Sequence, residues 1–393
     1  MDQKIVPQTM SPERFLSEHW QKQLLFETAA LQDCLPHLDT GEIAWLATQE
    51  DVESRLVITE REGAAVRYRL ENGPFDDARL GALPNKDWTL LVQDVEKHLP
   101  EFRCWFDIAS FLPAWRIDDL MISLAAPGGS VGPHLDNYDV FLCQVTGSRE
   151  WRIGAPGTSE PDESASELSL LQPFAAFETI TANPRDVLYL PPGVPHWGIA
   201  NDLCTTYSIG FRAPNKAELR VTAEDLLPDV AIAHEPAAAA SGVFYADADL
   251  QADEADDGRI SARSIRRLRE QALVDAPLDD AQLASVLGAT VTDPKAWLQS
   301  EPLSAAEAGR LCMNPANRDV HGMALLSWFD AGERLLVFAN GQVTETRAEF
   351  AAYLRSACHD RRVSGRAQAA LCEHPAGLDL FLWLARRGVF DMP

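Results

Sequence analysis

Three residues in this chain could hold one metal ion. His134 and Asp136 stand two apart in Gly132-Pro133-His134-Leu135-Asp136-Asn137-Tyr138-Asp139, a run that leads into the apolar stretch Val140-Phe141-Leu142-Cys143-Gln144-Val145. Side chains alternate across a strand, so an imidazole and a carboxylate at i and i+2 aim at one spot. A second histidine closes Asp186-Val187-Leu188-Tyr189-Leu190-Pro191-Pro192-Gly193-Val194-Pro195-His196. If the strand before it pairs near the first, two imidazoles and one carboxylate cover one face of a metal and leave the other face open. That donor set suits Fe(II), whose remaining positions would admit a bidentate 2-oxo acid and O2. Zn or Mn would also accept these donors. Either histidine alone reads better as a hydrogen-bonded core or turn residue than as a ligand. The joint pattern is what points to a metal.

A 2-oxo diacid that chelates a metal at one end needs its far carboxylate held. Arg149, at the start of Glu150-Trp151-Arg152-Ile153, could do this in a bidentate, permanently charged manner. Arg152 is the nearest rival, but a regular strand puts it on the opposite face; Arg185 and Arg212 are weaker rivals. In Ile117-Asp118-Asp119-Leu120-Met121-Ile122-Ser123, the residues Asp119, Met121 and Ser123 alternate onto one face, where Asp119 would suit a cationic side chain. A capping or salt-bridging role for Asp118 and Asp119 carries about equal weight.

The surrounding pattern predicts the elements that must position these groups. Strands are expected at Leu120–Ala125, Val140–Val145, Glu150–Ile153, Asp186–Leu190 and Thr205–Phe211, punctuated by glycine turns, which suggests a β-barrel or jelly roll. Upstream, Ser11-Pro12-Glu13 reads as a helix start, with Phe15, Trp20 and Leu24 at helical spacing. A hairpin is expected around Glu62-Gly63, and a helix over Trp88–Val95. After Pro214 the chain turns helical at Leu219–Leu226, Ile260–Val274 and Asp279–Leu287, with an acidic, Ala-rich, mobile loop expected at Ala246–Asp257. Ile265 and Leu268, with Ala272 one turn on, form an apolar stripe that needs a partner within the chain or in a second copy. The last part, with a hairpin at Asn340-Gly341 and helices Glu349–Ala357 and Gly377–Arg387, resembles a winged helix, read here as a protein-packing element.

The 393-residue chain carries a formal charge of −25, which argues against a nucleic-acid backbone as its main partner. Its seven cysteines (Cys34, Cys104, Cys143, Cys204, Cys312, Cys358 and Cys372) include no Cys-x-x-Cys pair, as expected of a reducing compartment. The start Met1–Pro7 has no apolar core of a signal peptide, and no segment approaches the apolar length of a membrane span. A cytoplasmic protein that is not membrane-bound is expected.

Several runs together resemble the bacterial JmjC-type ribosomal oxygenases, or cupin-4 proteins, and among them the arginine hydroxylases. These are Ile117–Ser123; Pro127-Gly128-Gly129-x-Val131-Gly132-Pro133-His134-x-Asp136-x-Tyr138-Asp139-Val140-Phe141; Tyr189-x-Pro191-Pro192-Gly193-x-Pro195-His196; and Tyr207-Ser208-x-Gly210-Phe211-Arg212-Ala213-Pro214-Asn215. The likeness is dense from Trp88 to Asn215 and thin elsewhere. It implies an α+β chain: a double-stranded β-helix (the JmjC or cupin jelly roll) with an N-terminal helical segment over 1–214, a helical dimerisation region over 215–300, and a winged-helix-like C-terminal domain over 301–393. It implies an Fe(II)- and 2-oxoglutarate-dependent dioxygenase that uses O2 to hydroxylate an arginine of a large-subunit ribosomal protein, acting as a homodimer. Carried over, His134, Asp136 and His196 match the iron ligands, and Arg149 and Ser123 the 2-oxoglutarate positions. Asp119, Met121, Tyr138 and Ser208 match the substrate positions. The acidic insertion near Ala246–Asp257 and the tail depart from the family. A 2-oxoglutarate oxygenase acting on His, Asn or methyl-lysine, and a non-catalytic metal-binding cupin module, are the alternatives.

Overall fold

The computed structural model describes residues 10–32, 35–63, 65–157, 160–162, 168–232, 240, 242–254 and 258–391. The Met1–Pro7 start, Cys34 and the last three residues of the acidic run lie outside them. The chain forms two compact units, Met1–Ala109 with Ile117–Phe211, and Ser110–Arg116 with Arg212–Pro393.

The first unit is built on two antiparallel sheets. The larger contains β1 (Leu25–Glu27), β2 (Ser54–Glu62), β3 (Ala65–Asn72), β4 (Trp88–Val92), β5 (Ile117–Ala125), β6 (Val140–Thr146), β9 (Val187–Leu190) and β11 (Cys204–Phe211), in the order β1-β9-β6-β11-β5-β4-β2-β3. The smaller has the order β10-β7-β8, from β7 (Arg149–Ile153), β8 (Glu178–Ala182) and β10 (His196–Ala200). From β5 onward the chain crosses repeatedly between the sheets, as in the expected jelly roll. Register fixes which side chains meet inside. Ser208 of β11 lies between Met121 of β5 and Leu142 of β6, and Thr206 lies between Ser123 and Gln144. Val140, Leu142, Leu188 and Leu190 pack against Trp151, Ile153, Ile180 and Ala182 of the smaller sheet. The other face of the large sheet is also covered. Phe15 and Trp20 pack on Phe141, Tyr189 and Phe211, and Trp105 packs on Tyr207. Burial on both faces explains why β11 has no polar–apolar alternation to read.

The Trp88–Val95 stretch is a strand, not the expected helix. Every residue of β4 is buried between β2 and β5, and a short apolar run of this kind satisfies helical and strand spacing alike. Only Val95–His98 is helical, as a short α4; the preceding α1 (Pro12–Glu18), α2 (Thr40–Leu46) and α3 (Asp77–Gly81) also belong to this unit. Ser11 caps α1 as expected, but α1 stops at Glu18, before Trp20 and Leu24. The β2–β3 hairpin forms with Gly63 at φ +64°.

In the second unit, helices Lys216–Leu226, Ala262–Glu270 and Asp280–Val291 pack on one another and on the sheet strands Leu326–Asp330 and Arg334–Ala339. Asn340 and Gly341 both have positive φ, as a two-residue hairpin turn requires. The helix expected over Ile260–Val274 spans only Ala262–Glu270, capped by Ser261, and Ala272 is exposed at φ +50°. Leu273 replaces Ala272 on the apolar stripe, and Leu219, Ala223, Leu283 and Leu287 share its cluster. The stripe therefore finds its partner within the chain. Residues 215–300 and the C-terminal portion also share that cluster, through Phe329, Leu336 and Phe338.

The acidic run expected to be a mobile loop is instead anchored through its described part. Asp247 and Glu254 are buried, the first beside Arg116 and the second in a two-pronged pair with Arg267, both contacts 2.7 Å. Composition suggested disorder because buried arginine partners outside the run are invisible to it. Removing one partner of a buried pair leaves an uncompensated charge. Glu254→Leu is expected to lower stability by about 3 kcal/mol and Glu254→Gln by less, read from urea-denaturation midpoints.

Candidate metal centre

His134 and His196 face each other across an isolated antiparallel bridge. Each donates its amide to the other's carbonyl, at 2.9 and 2.8 Å. Their rings lie 4.2 Å apart between centroids, and His196 Nε2 is 3.6 Å from Asp136 Oδ2. One donor atom from each of His134, Asp136 and His196 lies within 4.8 Å of the other two; this is the metal-competent cluster among the described residues. Gly193, at φ +76°, donates its amide to the Asp136 carbonyl at 2.8 Å. The Pro-Pro-Gly turn before His196 thus also braces the Asp136 segment.

The tautomer is set by backbone. His134 Nδ1 lies 2.9 Å from the Gly132 carbonyl and His196 Nδ1 lies 3.0 Å from the Val194 carbonyl. A carbonyl only accepts, so each Nδ1 carries the proton and each Nε2 keeps its lone pair for a metal. Both histidines sit in an X-Pro-His run and bond the carbonyl two residues back. That repeat was visible in the sequence, but its meaning was not. Burial, then the neighbouring His134 ring, lowers the His196 pKa to about 4, so the ring is a neutral donor at neutral pH.

Arg149 is buried on the inward face of β7. One guanidinium nitrogen donates to Ser123 Oγ at 3.1 Å, while Nε is buried with no hydrogen-bond partner. Trp151 stands between this residue and the histidines: Arg149 lies 5.6 Å from its ring and His196 6.0 Å. Register pairs Arg149 with Ala200 and Ile153 with His196, so the two groups start four residues apart, about 13 Å along the strands. The rivals are engaged elsewhere. Arg152 pairs with Glu150 and covers Trp197, Arg185 donates to the Leu31 carbonyl, and Arg212 donates to the Thr290 carbonyl.

Asp119 and Ser208 are buried and Met121 is half-buried. The Asp119 carboxylate lies against Gly210, 3.1 Å from where a Cβ would stand there, and the Tyr138 ring is 4.0 Å from the same point. Tyr138 is 42% exposed, at the rim. The Asp136 carboxylate, then burial and the carboxylates of Asp119 and Asp118, push its phenol well above the usual tyrosine range. Asp136, Tyr138 and Asp119 therefore form one continuous neighbourhood.

With this geometry described, comparison with known proteins is informative. Residues 106–219 match the family model of the JmjC domain. The chain is 41% identical over 206 residues to the ribosomal protein uL16 3-hydroxylase of Escherichia coli K12, covering 52% of this chain and 53% of that protein. It is 36% identical over 218 residues to a probable ribosomal oxygenase of Haemophilus influenzae, covering 54% and 52%. The chain thus spans about half the length of the curated relatives it matches. The fold likeness is longer. The X-ray structure of E. coli YcfD superposes with a TM-score of 0.72 at 29% identity over 98% of both chains. A structure of the same ribosomal oxygenase in complex with cobalt and 2-oxoglutarate gives 0.69, also over 98% of both.

Sequence reasoning missed Trp151 and Gly198, both within residues 106–219. A Cβ on Gly198 would lie 2.6 Å from the Trp151 ring, so the glycine makes room for the indole that separates Arg149 from His196. The only signal was a glycine inside a strand. Gly198→Ala is expected to cost about 1–3 kcal/mol through overpacking and to shift tryptophan fluorescence, checked by thermal melts and emission spectra.

Proposed function

We propose that this chain is an Fe(II)- and 2-oxoglutarate-dependent oxygenase that hydroxylates an arginine side chain of a large-subunit ribosomal protein. The observation that carries the reading is the convergence of His134, Asp136 and His196 inside a barrel that also buries Arg149 with an unsatisfied Nε. Two imidazoles and one carboxylate fit Fe(II), and the orphaned guanidinium donor fits an anion. When bound, Fe(II) and 2-oxoglutarate supply the O2 activation that ends in one oxygen atom on a C–H bond. The three ligands would hold the metal. Arg149, set by Ser123 Oγ, would hold the far carboxylate of 2-oxoglutarate. Asp119, with Met121, Tyr138 and Ser208 around it, would orient a guanidinium so that one carbon faces the metal and others do not.

The likeness to the uL16 3-hydroxylase and to YcfD with cobalt and 2-oxoglutarate supports this reading over a non-catalytic module. Homodimerisation enters through the family resemblance, and a cytoplasmic location through the cysteine pattern. Among the described residues, no helix is long and apolar enough to cross a membrane. The C-terminal helices Ala351–His359, Gly365–Cys372 and Pro375–Arg386 with the Asn340-Gly341 hairpin are read as a winged-helix-like, protein-packing part.

The deciding experiment incubates the chain with Fe(II), 2-oxoglutarate and large-subunit ribosomal proteins. Mass spectrometry should find one added oxygen atom on one arginine, with succinate formed in step. Oxygen on His or Asn, or loss of a lysine methyl group, would favour the alternative specificities; no succinate with iron would end the oxygenase reading. Arg149→Met should raise the 2-oxoglutarate concentration needed for half-maximal succinate formation by about tenfold or more. Asp119→Ala should spare peptide-independent 2-oxoglutarate turnover while lowering hydroxylation; an equal loss of both would count against its assigned role.

A further inference from the structure

The start of β5 is irregular where it carries Asp119. On its β11 side, Gly210 faces Asp119 and Phe211 faces Ile117, so Asp118 is an extra, bulged residue. On its other side, β4 ends at Val92 opposite Ile122, leaving the earlier residues of β5 without a strand partner. Their buried backbone groups still need partners. Two side chains of α4 supply them. Glu96 accepts from the Leu120 amide at 2.9 Å, and Lys97 Nζ donates to the Asp118 carbonyl at 3.1 Å. Glu96 and Lys97 are both buried; Nζ lies 3.3 Å from Glu96 Oε1 and also pairs with Asp94.

A buried lysine and glutamate spent on the backbone of one bulge are unusual, because desolvating each is costly. Bulges next to active sites re-aim a side chain, and the side chain after this one is Asp119, packed on Gly210 beside Tyr138. Burial alone would lower the Lys97 pKa. The carboxylates of Glu96, Asp94, Asp119 and Asp118 instead hold it above the usual lysine range. Four carboxylates around one ammonium leave the cluster formally negative, which favours a cation at its open edge.

We propose that Glu96 and Lys97 are positioning residues that hold the Asp118 bulge and thereby aim Asp119 at the cationic side chain of the substrate. This deepens the proposed function and rests on its reading of Asp119 as the guanidinium-binding group. It makes α4, which lies outside the strands carrying the metal ligands, a determinant of side-chain specificity.

The test measures binding of a short peptide with one arginine, and of its citrulline counterpart, to the full chain loaded with Co(II). Co(II) affinity and peptide-independent succinate formation with Fe(II) are followed in parallel. The native chain should prefer the arginine peptide. Glu96→Ala should weaken that preference by about tenfold and speed hydrogen exchange at the Leu120 amide. Glu96→Gln, which keeps an acceptor for that amide, should restore both. Lys97→Met combined with Asp94→Asn, which leaves the formal charge of the cluster unchanged, should weaken the preference with Co(II) affinity unchanged. A native preference that survives both Glu96→Ala and the double substitution overturns the bulge's role, as does a parallel loss of Co(II) affinity. A native chain that binds both peptides equally overturns the cation pocket itself and this role with it.

Discussion

The pair of backbone hydrogen bonds between His134 and His196 is the constraint on which the site depends. The two residues lie more than sixty positions apart, one in a turn and one opening a strand of the smaller sheet. Once their amides and carbonyls are exchanged, the imidazoles stand side by side, tilted by 60°, with little freedom. The Gly132 and Val194 carbonyls then fix the ring nitrogens, and Gly193 ties the Asp136 backbone to the same turn. A donor set assembled by main-chain bonds is preorganised. A metal need not order it and meets lone pairs already aimed.

Around that bridge, the interior is sorted by register. Residues facing inward from β5, β7, β10 and β11 include Asp119, Met121, Ser123, Arg149, Trp151, His196 and Ser208, set among hydrophobic side chains of β6, β8 and β9 and Ile153 of β7. Gln144 of β6, opposite Thr206, adds a further buried polar group. In such surroundings an unpaired guanidinium donor is costly, and that cost favours an anion placed beside it. The same physics operates at the opposite edge, where the carboxylates gathered near Asp119 favour a cation.

Buried charge recurs as a structural device in the second unit. Arg116 with Asp247, and Arg267 with Glu254, anchor a segment whose composition is that of a solvated loop. Their conformational role explains why acidic, alanine-rich sequence is ordered there: each carboxylate meets a guanidinium supplied from outside the run. The excess of acidic residues is thus not confined to the surface.

Much of the site was legible because its residues sit in short motifs. His134 and Asp136 at i and i+2, the Pro-Pro-Gly turn before His196, and Arg149 opening a strand are local facts, as are the Asn340-Gly341 hairpin and the Ser11 cap. Periodicity also separated Arg149 from Arg152, because alternation along one strand needs no partner. Other features had no local signature. β4 looked helical because burial on both faces erases alternation. The bulge at Asp118 exists only relative to β11, Trp151 finds its place only because Gly198 lies across from it, and the acidic run is held by arginines outside it, Arg116 and Arg267. By itself, the sequence determined the kinds of candidate ligand, their spacing along the chain and the turn chemistry, since these depend on neighbours along the chain. Tertiary structure alone decided which strands pair, in which register, and therefore which side chains share the interior, because pairing is a contest among segments that no single segment encodes.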